Sequence, residues 1–274
     1  MTLAVDLHAH TRFFHGFDRL ARVYDPIGAR MLTALARRRG LDAVATTNHD
    51  YYRDLEGSEG GASLLPGIEV TTSHGHVLVV GPSPPRRTEA GELTPEQLVD
   101  VAHDRGCAAI VAHPFRNSTV RETDADFDAV EVNGKGTESI ERVRRFAEAR
   151  DLPLVGGSDA HLPVEVGRAY TEVSDAEPTA EGVVEAIRDG RVAARVSHSP
   201  SHRLFQSMYR FLHGRKGWLE DPRERPPGVG TPPGEVEHRG GSLPTDGDPG
   251  MQTDTNGERT ARTGTNANSS RRSH

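Results

Sequence analysis

The chain has 274 residues, with 33 Lys and Arg against 40 Asp and Glu and a net charge of -7. Residues 1–200 carry -9, 201–220 carry +3 and 221–274 carry -1, which argues against a nucleic-acid cradle spread over the surface. A single cysteine, Cys107, excludes an internal disulfide; no apolar stretch reaches 18 residues and no secretory leader precedes Asp6, so a soluble cytoplasmic protein is expected.

Leu3 to Leu7 reads as a strand running into Asp6-Leu7-His8-Ala9-His10. Strict alternation would place Asp6, His8 and His10 on one face and Leu7 and Ala9 on the other. Two imidazoles and a carboxylate are costly to bury without a partner, and a metal ion would satisfy all three. Asp25 to Arg39 has Asp25 as N-cap, Pro26 at the first helical position and Gly40 as its stop. Ile27, Met31, Leu32 and Leu35 recur there at helical spacing. Strands follow at Leu41–Thr47, ending in Asn48-His49-Asp50, at Leu64–Val70, which holds Glu69, and at Val77–Val80 behind His76.

Thr94 and Gln97 form a capping-box pattern that opens the next helix. Cys107–Ala112 is a strand ending in His113-Pro114, and Ala129–Val132 is one ending in Asn133-Gly134. A helix over Thr137–Arg150 leads to a strand at Leu152–Val155 and then to Gly157-Ser158-Asp159-Ala160-His161. Tyr170–Val173, a helix over Thr179–Asp189 and an edge strand at Val192–Val196 complete the series. Strands alternating with helices predict β/α units with parallel pairing. A barrel, short or irregular, fits better than a dinucleotide-binding sheet, because no Gly-x-Gly-x-x-Gly follows the first strand.

The folded domain is therefore expected over residues 1–200. Residues 201–220 read as a basic amphipathic helix that packs on the barrel or meets an acidic surface. From residue 221 onward Gly, Pro, Ser, Thr and charged residues leave almost nothing to bury, so a disordered tail is expected.

His8, His10, His49, Glu69, His113, Asp159 and His161 all lie at or just beyond the end of an apolar run, where a β/α barrel gathers its active site. His15 follows in the first β/α loop. His76 precedes its strand and must enter from a reversed or irregular segment. Imidazoles mixed with carboxylates, and no thiolate, select Mn²⁺, Zn²⁺ or Fe²⁺ over Ca²⁺ or Mg²⁺. Nine such groups suffice for two or three ions, with Glu69 able to bridge. Arg116, three residues after His113, is placed either for a bidentate contact to phosphate or for a surface ion pair, and Arg168 has the same two readings.

Asp6-Leu7-His8-Ala9-His10-Thr11, Asn48-His49-Asp50, Pro66-Gly67-Ile68-Glu69, Gly75-His76, Ala112-His113-Pro114 and Gly157-Ser158-Asp159-Ala160-His161 resemble, in order, the motifs of the PHP (polymerase and histidinol phosphatase) superfamily of metal-dependent phosphoesterases. Glu131-Val132-Asn133-Gly134 is similar to its small stand-alone branch. The resemblance implies a distorted (β/α)7 TIM-like barrel. It implies that His8, His10, Glu69 and Asp159 surround one ion, Glu69, His76 and His113 a second, and His15, His49 and His161 a third. His15 stands where many members have Asp, and Asn48 replaces a frequent Asp.

The activity expected is hydrolysis of a phosphomonoester, a nucleotide or another small phosphate, by a metal-activated hydroxide. His8, His10, Glu69, Asp159, His161 and Arg116 are the catalytic candidates, and Asp6 is expected to orient a histidine. No stable nucleic-acid partner is expected. One rival is an amidohydrolase-type metal hydrolase, disfavoured because no suitable lysine follows the fourth strand and Lys135 is the only lysine in the barrel. The other is a non-catalytic metal-binding or regulatory module, against which the intact ligand set argues.

Overall fold

The apolar runs become strands of one sheet in a computed structural model that describes residues 1–12, 25–116, 118–136 and 139–197. His15, the expected helix over 201–220 and the expected tail over 221–274 lie outside the described residues. The strands are β1 (Thr2–Ala9), β2 (Ala43–Thr46), β3 (Ser63–Thr72), β4 (Gly75–Val80), β5 (Ala108–Val111), β6 (Ala129–Asn133), β7 (Leu154–Gly157), β8 (Ala169–Ser174) and β9 (Val192–Val196). Four α-helices accompany them: α1 (Asp25–Arg38), α2 (Pro95–Asp104), α3 (Ile140–Glu148) and α4 (Ala180–Arg188). Among the described residues no helix is long and apolar enough to cross a membrane.

The sheet order is β7-β6-β5-β4-β3-β2-β1-β8-β9. It curls until its ends approach: Gly156 N in β7 donates to Thr171 Oγ1 in β8 at 2.8 Å, and the same hydroxyl donates to Gly156 O at 3.1 Å. A Cβ on Gly156 would sit 2.3 Å from the Tyr170 carbonyl oxygen, so this approach requires glycine. The result is a mixed α/β fold around a nearly closed, barrel-shaped sheet.

Parallel pairing holds for β1/β2, β2/β3, β5/β6 and β6/β7, whereas β3/β4, β4/β5, β1/β8 and β8/β9 are antiparallel. The uniformly parallel expectation fails here for a simple reason. Only Ser73 and His74 separate β3 from β4, enough for a hairpin and far too few for a crossover helix. That reversal is what carries His76 to the end of β3, where it pairs with Thr71.

Inward residues of β1 to β8, including Leu3, Val5, Leu7, Leu78, Ile110, Val155 and Val173, form one core with Val183, Val184 and Ile187 of α4. This apolar layer fills the barrel below the strand ends. The buried face of α1 differs from the helical spacing of its large side chains. Ile27 and Met31 are exposed, whereas Gly28, Ala29, Leu32 and Ala36 are buried. Gly28 decides this, because a Cβ there would lie 2.0 Å from the Thr11 carbonyl oxygen. The helix thus packs its small-residue side against the chain leaving β1. The Thr94 capping box forms as expected, Gln97 N donating to Thr94 Oγ1 and Thr94 N donating to Gln97 Oε1.

Candidate metal centre

Glu69, buried in β3, is the hub of the strand-end cluster. Its Oε2 lies 3.2 Å from His8 Nε2, 3.3 Å from His10 Nε2 and 3.1 Å from His49 Nδ1. Its Oε1 lies 2.7 Å from His76 Nδ1 and 3.1 Å from His113 Nε2. One carboxylate therefore faces five imidazoles contributed by β1 and the residue after it, by β4 and by the loops after β2 and β5. Burial works to raise the Glu69 carboxyl, and the charges of His49, His76 and His8 outweigh it, holding the group well below its ordinary value.

Asp159 is the second focus. Its Oδ1 lies 3.1 Å from His161 Nδ1 and 3.5 Å from His10 Nε2. Its Oδ2 accepts from Arg116 Nη2 at 2.6 Å and from Asn133 Nδ2 at 3.3 Å. Burial opposes ionisation here too, but Lys135 and Arg116 overcome it and keep Asp159 well below the carboxylate range. Asp159 and His113, together with Asp50, have left-handed backbones (φ 51, 27 and 58). Non-glycine residues held in that region concentrate at functional sites, where packing over-determines them.

His8, His10, His49, Glu69, His76, His113, Asp159 and His161 thus come together as the sequence proposes, and Arg116 joins them through Asp159. Asp6 does not. The β1/β2 register shifts between Asp6 and Ala9, so Leu7 stays with Leu3 and Val5 in the barrel interior while Ala9 packs with Leu32 and Ala36. This register shift interrupts the strict alternation along β1. Asp6 instead accepts from Ser158 N at 2.9 Å, Gly167 N at 2.7 Å and His8 N at 3.2 Å, tying the loop after β7 to β1. Burial raises its carboxyl to about 6 against those hydrogen bonds. Arg168 is also removed from the site: it is buried and paired with Glu165 at 3.0 Å.

The orienting groups are Glu131, Asn48 and Asp50. Glu131 Oε1 lies 2.8 Å from His8 Nδ1, and Glu131 Oε2 accepts from His113 N at 2.8 Å. A carboxylate on the far nitrogen fixes the ring and leaves Nε2 directed into the centre. Asn48 Oδ1 accepts from Thr11 N at 3.0 Å and its Nδ2 donates to Thr11 Oγ1 at 2.8 Å, which anchors the chain beyond His10. Asp50 accepts from Thr71 N and Thr71 Oγ1 at 2.8 and 2.9 Å, bracing the end of β3 near His76.

Glu131, Asn133 and Lys135 are site residues that the sequence pattern does not nominate. A signal for them existed, since Glu131-Val132-Asn133-Gly134 ends an apolar strand as the ligand motifs do, with Glu131 and Asn133 two apart on one face. Lys135 carries no comparable signal. It follows β6, its Nζ donates to Asp159 Oδ1 at 2.8 Å and it lies 2.8 Å from His161 Nδ1.

The donor set suits divalent metal ions. Donor atoms of His8, His10 and Glu69, of His49, Glu69 and His76, and of His10, His49 and His161 each lie within 4.8 Å of one another. His10 Nε2 and His76 Nδ1 are buried and make no hydrogen bond, although carboxylate oxygens stand close by. Buried imidazole nitrogens in that condition are costly unless they ligate something.

A family model described as PHP-associated matches residues 137–192, from the approach to α3 as far as the start of β9. Among solved structures, a two-domain protein from Bacteroides vulgatus containing a predicted PHP-like metal-dependent phosphoesterase superposes with a TM-score of 0.51 at 22% identity, over 72% of this chain and 65% of that one. The chain is thus similar to a PHP-associated family model over one segment and shares its fold with this PHP-like protein. PsfC from Pseudomonas syringae shares the fold with a TM-score of 0.59 at 20% identity, over 77% of this chain and 99% of that one. No curated protein matches the sequence. In this barrel the antiparallel hairpin β3/β4 brings His76 to the same glutamate that meets His8, His10, His49 and His113.

Proposed function

We propose that the chain is a metal-dependent phosphoesterase that hydrolyses phosphomonoesters, the substrate being a nucleotide or another small phosphorylated molecule. The observation that carries this reading is the sharing of Glu69 by His8, His10 and His49 on one oxygen and by His76 and His113 on the other. A carboxylate so placed is built to bridge cations. His8, His10, His49, Glu69, His76, His113, Asp159 and His161, with His15 from the first loop, would hold two or three ions of Mn²⁺, Zn²⁺ or Fe²⁺. Bound there, such ions polarise phosphoryl oxygens and make water acidic enough to attack near neutral pH.

The chain's own residues do the rest. Glu131 holds His8 in the orientation and tautomer that a ligand needs. Arg116 uses Nη2 on Asp159, and its Nη1 is buried without a hydrogen-bond partner beside the centre. That leaves a guanidinium edge for a phosphoryl oxygen. Side chains of His76 and Arg116 are 26% and 25% exposed, against 0% for His8, so a substrate reaches the centre past this pair.

The test joins elemental analysis of the purified full chain to phosphate release from nucleotides, sugar phosphates and aryl phosphates. Bound transition metal with turnover of a phosphomonoester is expected. Absence of phosphate release from every substrate by the metal-replete protein would overturn the reading.

A further inference from the structure

The outer face of β7 has no helix of its own. Val99 of α2 and Val143 of α3 pack on the outward side of the sheet with Val130 and Val132. β7 is followed only by a 3-10 turn at Pro163–Glu165 and then by β8, whereas in a β/α barrel a helix follows each strand and covers its outer face. A groove of about 510 Å³ is left there, lined by Ile140 and Ala147 of α3, Val192 and Ala194 of β9, and Val132 and Leu154 of β6 and β7. Ile140 is 41% exposed, and Leu154, Val192 and Ala194 are half-buried. Apolar side chains gathered at a surface in this way mark an interaction site.

We propose that this groove seats the chain's own segment 204–212, packed as a helix along β9. β9 forms one side of the groove and is the last described strand, so the chain leaves the groove at Ser197 and runs on to that segment. Leu204, Phe205, Met208, Tyr209, Phe211 and Leu212 recur at the spacing of one apolar helix face. The stretch from Val196 to Leu204 reaches up to about 28 Å when extended, ample to turn back onto the groove. A helix over 204–212 is about 13 Å long, against about 16 Å for the five residues of β9. Charge agrees with the fit, since residues 201–220 carry +3 and residues 1–200 carry -9. Glu148 adds a carboxylate to the groove, and Arg144 beside it is paired with Glu141 at 3.4 Å. β6 carries Glu131 and β7 leads to Asp159, so the seated segment backs the strands that present those carboxylates to the centre. None of this depends on which reaction the centre performs.

The experiment uses the full-length chain with benzoylphenylalanine in place of Phe205, irradiated and mapped by mass spectrometry. Products within one chain to residues 140–148 or 192–196 are expected. Products between chains assign the groove to a second copy and overturn the proposal, as do products confined to another part of the barrel, or none. Thiol labelling of the full-length chain gives a second measurement. In Arg144→Cys, the thiol in the groove is expected to react with a disulfide reagent about tenfold faster once Phe205→Asp and Met208→Asp are added, because the groove is then open. Arg145→Cys, outside the groove lining, is expected to keep its rate in both backgrounds, and buried Cys107 contributes little. An unchanged rate at residue 144, or an equal rise at residue 145, overturns the proposal.

Discussion

Glu131 Oε1 lies 2.8 Å from His8 Nδ1, on the side of the ring opposite Glu69. His8 is thus clamped between two buried carboxylates, and burial that would lower its pKa is outweighed by Glu131 and Glu69, which raise it well above the ordinary value. Replacing Glu131 by Gln keeps the shape and removes the charge that orients the imidazole. The expected result is a folded protein whose metal affinity falls about 10- to 100-fold. Competition with a chromogenic chelator measures it, and an unchanged affinity would show that Glu131 does not support a ligand.

Glu69→Gln tests the hub directly. Five imidazoles share this side chain, so a single change should remove more metal than loss of any one of those histidines. Elemental analysis should show at least one equivalent fewer than the unmodified protein, whereas His49→Ala should lose less. Equal losses in the two variants would argue against a shared bridge.

Gly157→Ala probes how tightly the barrel closes over the site. A Cβ there would lie 2.4 Å from His8 Cβ and 2.6 Å from Glu131 Oε1. Neither His8 Cβ nor the hydrogen-bonded Glu131 can yield cheaply, so overpacking of about 1–3 kcal/mol is expected. Denaturant unfolding should register that loss together with weakened metal binding, because His8 must shift.

Cys107 provides an independent check of the core. Burial pushes its thiol pKa up, which depletes the thiolate that reacts with disulfide reagents. The native protein should react with less than one tenth of an equivalent of such a reagent at pH 8, and denatured protein with one. Rapid native reaction would place Cys107 outside the core that Leu98, Val99 and Ala102 of α2 cover.

The sequence by itself determined the order and type of the described elements and which side chains stand at strand ends. Apolar periodicity, capping residues and glycine stops are local, and local patterns report which residues are buried and where an element finishes. That was enough to nominate Glu69 and Asp159 with the six histidines and Arg116 that converge on them, and to mark His76 as entering from a reversed or irregular segment. Tertiary structure decided what those residues meet. The register shift between Asp6 and Ala9 is invisible to strict alternation, because it arises from the pairing of β1 with β2. The antiparallel β4/β5 and β1/β8 pairings, unlike the β3/β4 hairpin set by its two-residue turn, are long-range choices that no local pattern marks. Lys135 reaches Asp159 only because β6 and β7 lie side by side, which brings two turns 24 residues apart in sequence within one hydrogen bond. A charge's partner is a long-range property of the closed barrel, and no spacing along the chain encodes it.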